Sequence, residues 1–186
     1  MKITPIIICS LITTCHLFGQ NEPKSKEFKR YQTNCKVSFR MPEGYKEKKV
    51  KKLPSLKYDL NLVNEADDNC IRYTFYDGEM SSCYVYDSFN RLNLMNLTQM
   101  DSTANIYEYI NVDSLITNSL KVEKAGYTAF DIRSGYGKGY KYCIMVFAHK
   151  HGIANLYITI LSNSNNEALR KKLIDVAVNS INFKDE

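Results

Sequence analysis

The sequence predicts an α/β fold in which an antiparallel β-sheet is covered by helices on both sides, an α/β/α sandwich. Three observations predict it: two separate blocks of period-two alternation, a helical block between them, and an amphipathic helix at the end of the chain.

In the first block, Cys35, Val37, Phe39 and Met41 share one face of a strand and Lys36, Ser38 and Arg40 the other. Pro42 and Gly44 stop it. Leu56, Tyr58, Leu60 and Leu62 alternate next. After a turn at residues 65–69, the run CIRYTFY (70–76) is β-branched and aromatic, the composition of a strand. Asp77-Gly78 opens a loop and residues 83–86 return as a further strand, so these segments read as a meander.

Asp87-Ser88 offers a helix cap, and Phe89, Leu92, Met95, Leu97 and Met100 recur at helical spacing. Residues 104–120 carry two readings, a short helix near residues 106–110 or an irregular crossover. The second block holds three strands. Residues 127–133 follow Gly126. Residues 140–148 are apolar at both parities, as expected of a strand covered on both faces. Residues 153–161 return across the HKHG turn. Ser164-Asn165-Asn166-Glu167 reads as a capping box for a last helix with the stripe Leu169, Leu173, Ala177 and Ile181.

The first residues set the compartment. Lys2, the apolar run IIICSLI (6–12) and Gly19 have the outline of a secretory signal peptide. The run is shorter than the ~20 residues that a membrane-spanning helix needs. Its LFGQ ending resembles the signal peptides of the Bacteroidota. The expected organisation is a signal peptide over 1–19, a flexible lead over 20–30 and one domain over 31–186, with no transmembrane segment after signal removal. The expected location is periplasmic or secreted. The alternative is a lipoprotein anchored at Cys15, against which Ile-Thr-Thr departs from the small residue that lipid processing wants. Net charge is +5, and +4 once Lys2 leaves, too mild to imply nucleic acid. The 44% hydrophobic and 24% charged residues are ordinary for a globular chain.

Cys35, Cys70, Cys83 and Cys143 remain after Cys9 and Cys15 leave with the signal. An even number in an oxidising compartment suits disulfides, with three pairings open; four buried thiols are the alternative. No CxxC motif supports a redox role.

The stretch SGYGKGYKYC (134–143) invites comparison with a phosphate-binding loop. Such a loop needs GxxxxGK[ST] between a strand and a helix. Here the glycines fall between two strands, and no Ser or Thr follows Lys138. A flexible hairpin is the expectation. His149 and His151, two apart at a strand end, are weak metal candidates, since a zinc site needs a third and usually a fourth ligand. No GxSxG elbow is present, and no enzyme activity or cofactor is expected. The run KEKKVKK supplies Lys46, Lys48, Lys49, Lys51 and Lys52. With Tyr136 and Lys138, these form a candidate surface for a protein partner. Tyr73, Phe75, Tyr76, Tyr84 and Tyr86 read either as core or as a stacking platform. Asp101-Ser102-Thr103 and Asp113-Ser114-Leu115 resemble short O-glycosylation motifs.

Three segments carry a family resemblance. VSFRMPEGY (37–45) resembles the opening strand and Pro turn of the PsbP-like and DcrB-like families. VNSINF (178–183) resembles their closing helix and terminal Ser-Ile-x-Phe, and KAGYTAFDIR (124–133) their Gly-Tyr-x-Ala strand entry. The chain has no tryptophan for the aromatic after the Pro turn, and Tyr45 takes that place. The resemblance implies the sandwich fold and a role in binding or assembling other proteins; no catalytic residue comes with it. The expected function is a non-catalytic binding or assembly module acting on an envelope or secreted protein. An immunity-type inhibitor of a secreted toxin and a hydrolase with its site near His149 and His151 are the alternatives.

Overall fold

The computed structural model describes residues 22–49, 58–83, 86–87, 106–132 and 139–185, with only the backbone of Tyr107. Nine strands run through it: β1 Val37–Phe39, β2 Lys46–Glu47, β3 Leu60–Asn64, β4 Asn69–Asp77, β5 Ile106–Ile110, β6 Lys124–Asp131, β7 Tyr142–Lys150, β8 Ala154–Ser162 and β9 Ile181–Phe183. The described α-helices are α1 Lys26–Asn34, α2 Ser114–Leu120 and α3 Glu167–Asn179.

Seven strands form one antiparallel sheet in the order β2-β3-β4-β8-β7-β6-β5. Two meanders, β2-β3-β4 and β5-β6-β7-β8, join where β4 pairs β8 from Asn69↔Ser162 to Asp77↔Ala154. Register fixes the two faces, because side chains alternate along each strand. Rows such as Ile71-Ile160-Ile144-Ala129 and Phe75-Leu156-Ala148-Ala125 line the first face. Rows such as Cys70-Leu161-Cys143-Phe130 and Arg72-Thr159-Met145-Thr128 line the second.

The first face carries the larger core. Phe28 and Tyr31 of α1, Ile116 and Leu120 of α2, and Leu173, Ile174, Ala177 and Val178 of α3 are all buried in it. Phe28 sits edge-on to Tyr73 and Phe75, and Tyr31 stacks on Phe75 at 5.2 Å. The three described helices therefore lie on one side. The second face is met by a 3-10 turn, Gly78–Ser81, and by Tyr86, which packs beside Phe147. The helix expected over residues 89–100 falls outside the described residues.

Several expectations change. The lead expected over residues 20–30 holds the first half of α1, and Phe28, at 0% exposure, pins it to the core. A charged run with one buried aromatic per turn was helical after all. Cys83, Tyr86 and Asp87 are helical, not a strand. Residues 106–110 form an edge strand instead of a short helix, and α2 begins at Ser114, capped by Asp113 Oδ1, which accepts from Leu115 N and Ile116 N. The last helix is capped by Asn166, not Ser164. Ser164 has its carbonyl occupied by Ser162 Oγ, and Asn165 is held by the Arg170 guanidinium. Ile181 leaves the helical stripe and enters β9.

The motif segments now have physical roles. VSF of β1 pairs with INF of β9: Val37↔Phe183, Ser38↔Asn182, Phe39↔Ile181. Ser180 closes the buried gap between them and the sheet, its Oγ 2.6 Å from Tyr73 Oη. Tyr45, 7% exposed, hydrogen-bonds Asn69 Oδ1 at 2.5 Å. Gly126 is needed where β5 ends: a Cβ there would lie 2.2 Å from Ile110 O and 2.6 Å from Asn111 O.

Candidate functional site: a lysine-lined collar around the first helix

α1 starts at Ser25, whose Oγ accepts from Phe28 N and donates to Asp59 O, tying the helix N-terminus to the sheet. Beside it, Lys46 and Glu47 pair with Val63 and Leu62, so β2 forms one edge of the sheet. This places Lys48 and Lys49 next to Lys24 and Lys26. The four lysines line a groove of about 430 Å³ with Tyr58 on its floor. Among its carboxylates, Glu47 accepts from Lys24 N and Asp59 from Phe75 N. A second groove, about 570 Å³, runs along the other side of α1, lined by Lys29, Lys36 and Lys184 beside the apolar Val37, Phe39 and Met41. Seven exposed lysines from separate parts of the chain thus ring α1. Glu22 pairs with Lys29 at 3.7 Å, and Glu65 with Lys48. Of the lysines expected as a partner surface, Lys48 and Lys49 belong to this collar, and Lys46 is exposed on β2 but lines neither groove; Lys51, Lys52, Tyr136 and Lys138 lie outside the described residues. The lysines of α1 and the C-terminus were not legible in the sequence, because they join the basic loop only through the fold.

The histidines stand apart from it. His149 is 3% exposed, and its Nδ1 lies 2.7 Å from Asn155 Oδ1, the residue paired with it across β7 and β8. Asn155 Nδ2 donates to Met80 O and Ser82 O. That orientation turns Oδ1 toward the ring, so Nδ1 carries the proton. The pair acts as a clasp that holds the 3-10 turn over the second face. His151 is exposed, and its backbone N–H donates to Glu123. Among the described residues, no three His, Cys, Asp or Glu gather as metal ligands.

Cys35, Cys70, Cys83 and Cys143 stand as free thiols. Cys70 and Cys143 flank Leu161 on the second face, two strand spacings or about 9–10 Å apart, beyond disulfide reach. Cys35 belongs to the first-face core, across the sheet from both. Cys83 sits 3.1 Å from Lys124 Nζ. Burial pushes the Cys35 thiol up to about 11, and raises Cys70 and Cys143 as well. Since the thiolate is the nucleophile, this environment suits packing rather than attack.

One exposed apolar run escaped the sequence reading. Ile106 and Tyr109 on β5, Val112 in the bend after it and Leu115 in the first turn of α2 are 49%, 57%, 66% and 74% exposed. The run IYEYI is rich in β-branched and aromatic residues, a strand signal hidden by the helical i, i+4 spacing of its isoleucines.

No family model matches the chain, and no curated protein matches it. Solved structures do. The cyanobacterial PsbP (CyanoP) from Synechocystis aligns with a TM-score of 0.51 at 13% identity, over 82% of this chain and 89% of that one. The Ran-binding protein Mog1p from Saccharomyces cerevisiae aligns at 0.46 and 10%, over 78% and 88%. The chain therefore has a PsbP-like α+β fold, and at these identities the likeness concerns the fold alone. Among the described residues, no helix is long and apolar enough to cross a membrane.

Proposed function

We propose that this chain is an exported, non-catalytic binding or assembly module that docks an acidic surface of an envelope or secreted protein. The observation that carries the reading is the lysine collar around α1. Its charges come from the segment before the helix, the helix, the β2 edge and the C-terminus, and they converge on two open grooves. Clustered like charge raises local potential, which steers an oppositely charged partner and sets its orientation. The apolar Phe39 and Met41 in the second groove offer a contact that charge alone does not give. The PsbP-like fold is compatible with such a role.

The test is a photo-crosslinker placed at Lys26 or Lys49 in intact cells that express the chain. The expected result is one adduct of defined mass with an envelope or secreted protein, lost in a Lys48→Glu, Lys49→Glu double variant. No adduct at either position, or adducts equally abundant from Thr117 on α2, would sink the reading.

A further inference from the structure

We infer that β5 is the interface of a two-fold dimer of this chain, in which two copies pair their outer strands into one continuous sheet. The inference is independent of the lysine collar, which lies at the opposite end of the sheet order.

An unpaired strand edge is a template for another strand, and folds usually blunt it with lysines, short length or a cover. The two edges of this sheet differ. β2 is two residues long and carries Lys46, with Lys48 beside it. β5 is five residues long, pairs only with β6 among the described residues, and has no lysine or arginine. Its bulge between Ile106 and Glu108 brings Ile106 and Tyr109 to the same face, opposite Phe130 and Thr128. The Tyr109 ring lies 6.4 Å from Phe147, at the rim of the second-face core.

The occupant follows from charge and symmetry. The acids of this stretch are already engaged: Glu108 lies 3.8 Å from Arg170, and Asp113 caps α2. A second copy therefore meets no free like charge here, despite the +5 of each chain. A two-fold axis at Tyr109 sets Tyr109 against Tyr109, Ile106 of one copy toward Val112 of the other, and Glu108 opposite Ile110. An axis at Glu108 would oppose the two carboxylates and is disfavoured. The contact is isologous and closes, while the short β2, with Lys46 in it and Lys48 and Lys49 beside it, is a poor template for growth from the other edge. Ile106, Tyr109, Val112 and Leu115 expose roughly 400–500 Å² per copy, within the range of the largest patch on an ordinary monomer. With the strand edges the pair approaches about 1,000 Å², the lower bound for a specific interface. The dimer is therefore expected to be reversible and concentration-dependent.

Sedimentation of the full chain over a wide concentration range tests this directly. The expected result is a monomer–dimer equilibrium that Tyr109→Lys and Ile106→Lys each weaken at least tenfold. Both side chains are about half exposed, so circular dichroism is expected to show intact folding. Met80→Lys, an exposed apolar site elsewhere, leaves association unchanged. Amide exchange in residues 106–110 slows as concentration rises. A monomer at every concentration overturns the inference and leaves the edge to a strand of another protein. A dimer indifferent to both lysine variants overturns it equally. Because the purified chain alone is measured, either result is separable from loss of an envelope partner.

Discussion

At the scale of single residues, the fold depends on a few positions where a small change meets something that cannot move. Gly126 is the clearest. Its backbone does not need a left-handed conformation; it needs the absence of a side chain, because carbonyls of Ile110 and Asn111 occupy the space. Those atoms belong to the end of β5 and the bend after it, so relief requires the edge strand to shift. Gly126→Ala is expected to cost about 1–3 kcal/mol in urea unfolding, the range for a forced contact in a packed site. It is also expected to speed amide exchange selectively in residues 106–110. Unchanged exchange there would mean that the clash is absorbed elsewhere. The Gly-Tyr-x-Ala entry thus has a packing cause: Gly126 admits the β5 turn, while Ala129 keeps the first face flat beneath the helices.

At the scale of elements, caps and edges decide what the periodicity leaves open. The start of α3 is a direct case. Asn166 Oδ1 accepts from Leu169 N at 3.3 Å, and Asn166 O takes Arg170 N. Asn166→Ala is expected to cost about 1 kcal/mol, the usual loss of an N-cap. Ser164→Ala is expected to cost less, since the Ser164 contact described here is through its backbone carbonyl. Equal costs in thermal or urea unfolding would restore the capping box read from the sequence. The long strands β4, β7 and β8 and the helix α3 were legible because each carries enough apolar residues to declare its period. Two elements misled for opposite reasons. α1 buries only Phe28 and Tyr31 amid charges, so its stripe was too thin to see. β5 shows isoleucines four apart, yet its pairing with β6 and the bulge override that spacing. The lysine collar was half legible for a related cause. A sequence shows the run at residues 46–52, but only the fold, with α1 packed against β1 and Ser25 tied to Asp59 O, adds the lysines distant in the chain.

At the scale of the whole molecule, the two faces of the sheet store different chemistry, and pH reads the difference. The first face is aliphatic and aromatic, and Cys35 lies within it. The second holds Cys70 and Cys143 beside buried polar groups such as Arg72, Thr128 and His149. Burial raises all three thiols, Cys35 from 9.0 to about 11, and raises Tyr45 from 10.0 to about 12. In each case the neutral, protonated form is the one the fold accommodates. Above pH 9 the unfolded chain releases these protons while the folded chain keeps them, so the folded state binds more protons and stability falls as pH rises. This contribution is complete below pH 9 and declines through the window up to about 11, with the tyrosines joining from pH 10. The urea midpoint is therefore expected to hold steady from neutrality to pH 9 and then to drop continuously. Cys143→Ala lowers the midpoint at neutral pH by leaving a cavity, but it makes the alkaline decline shallower, because one raised thiol no longer contributes to it. A midpoint flat from pH 9 to 11, or a slope unchanged in Cys143→Ala, would mean that the buried thiols ionise as freely in the folded chain as in the unfolded one. That would contradict the packed second face on which Cys70, Leu161, Cys143 and Phe130 lie side by side.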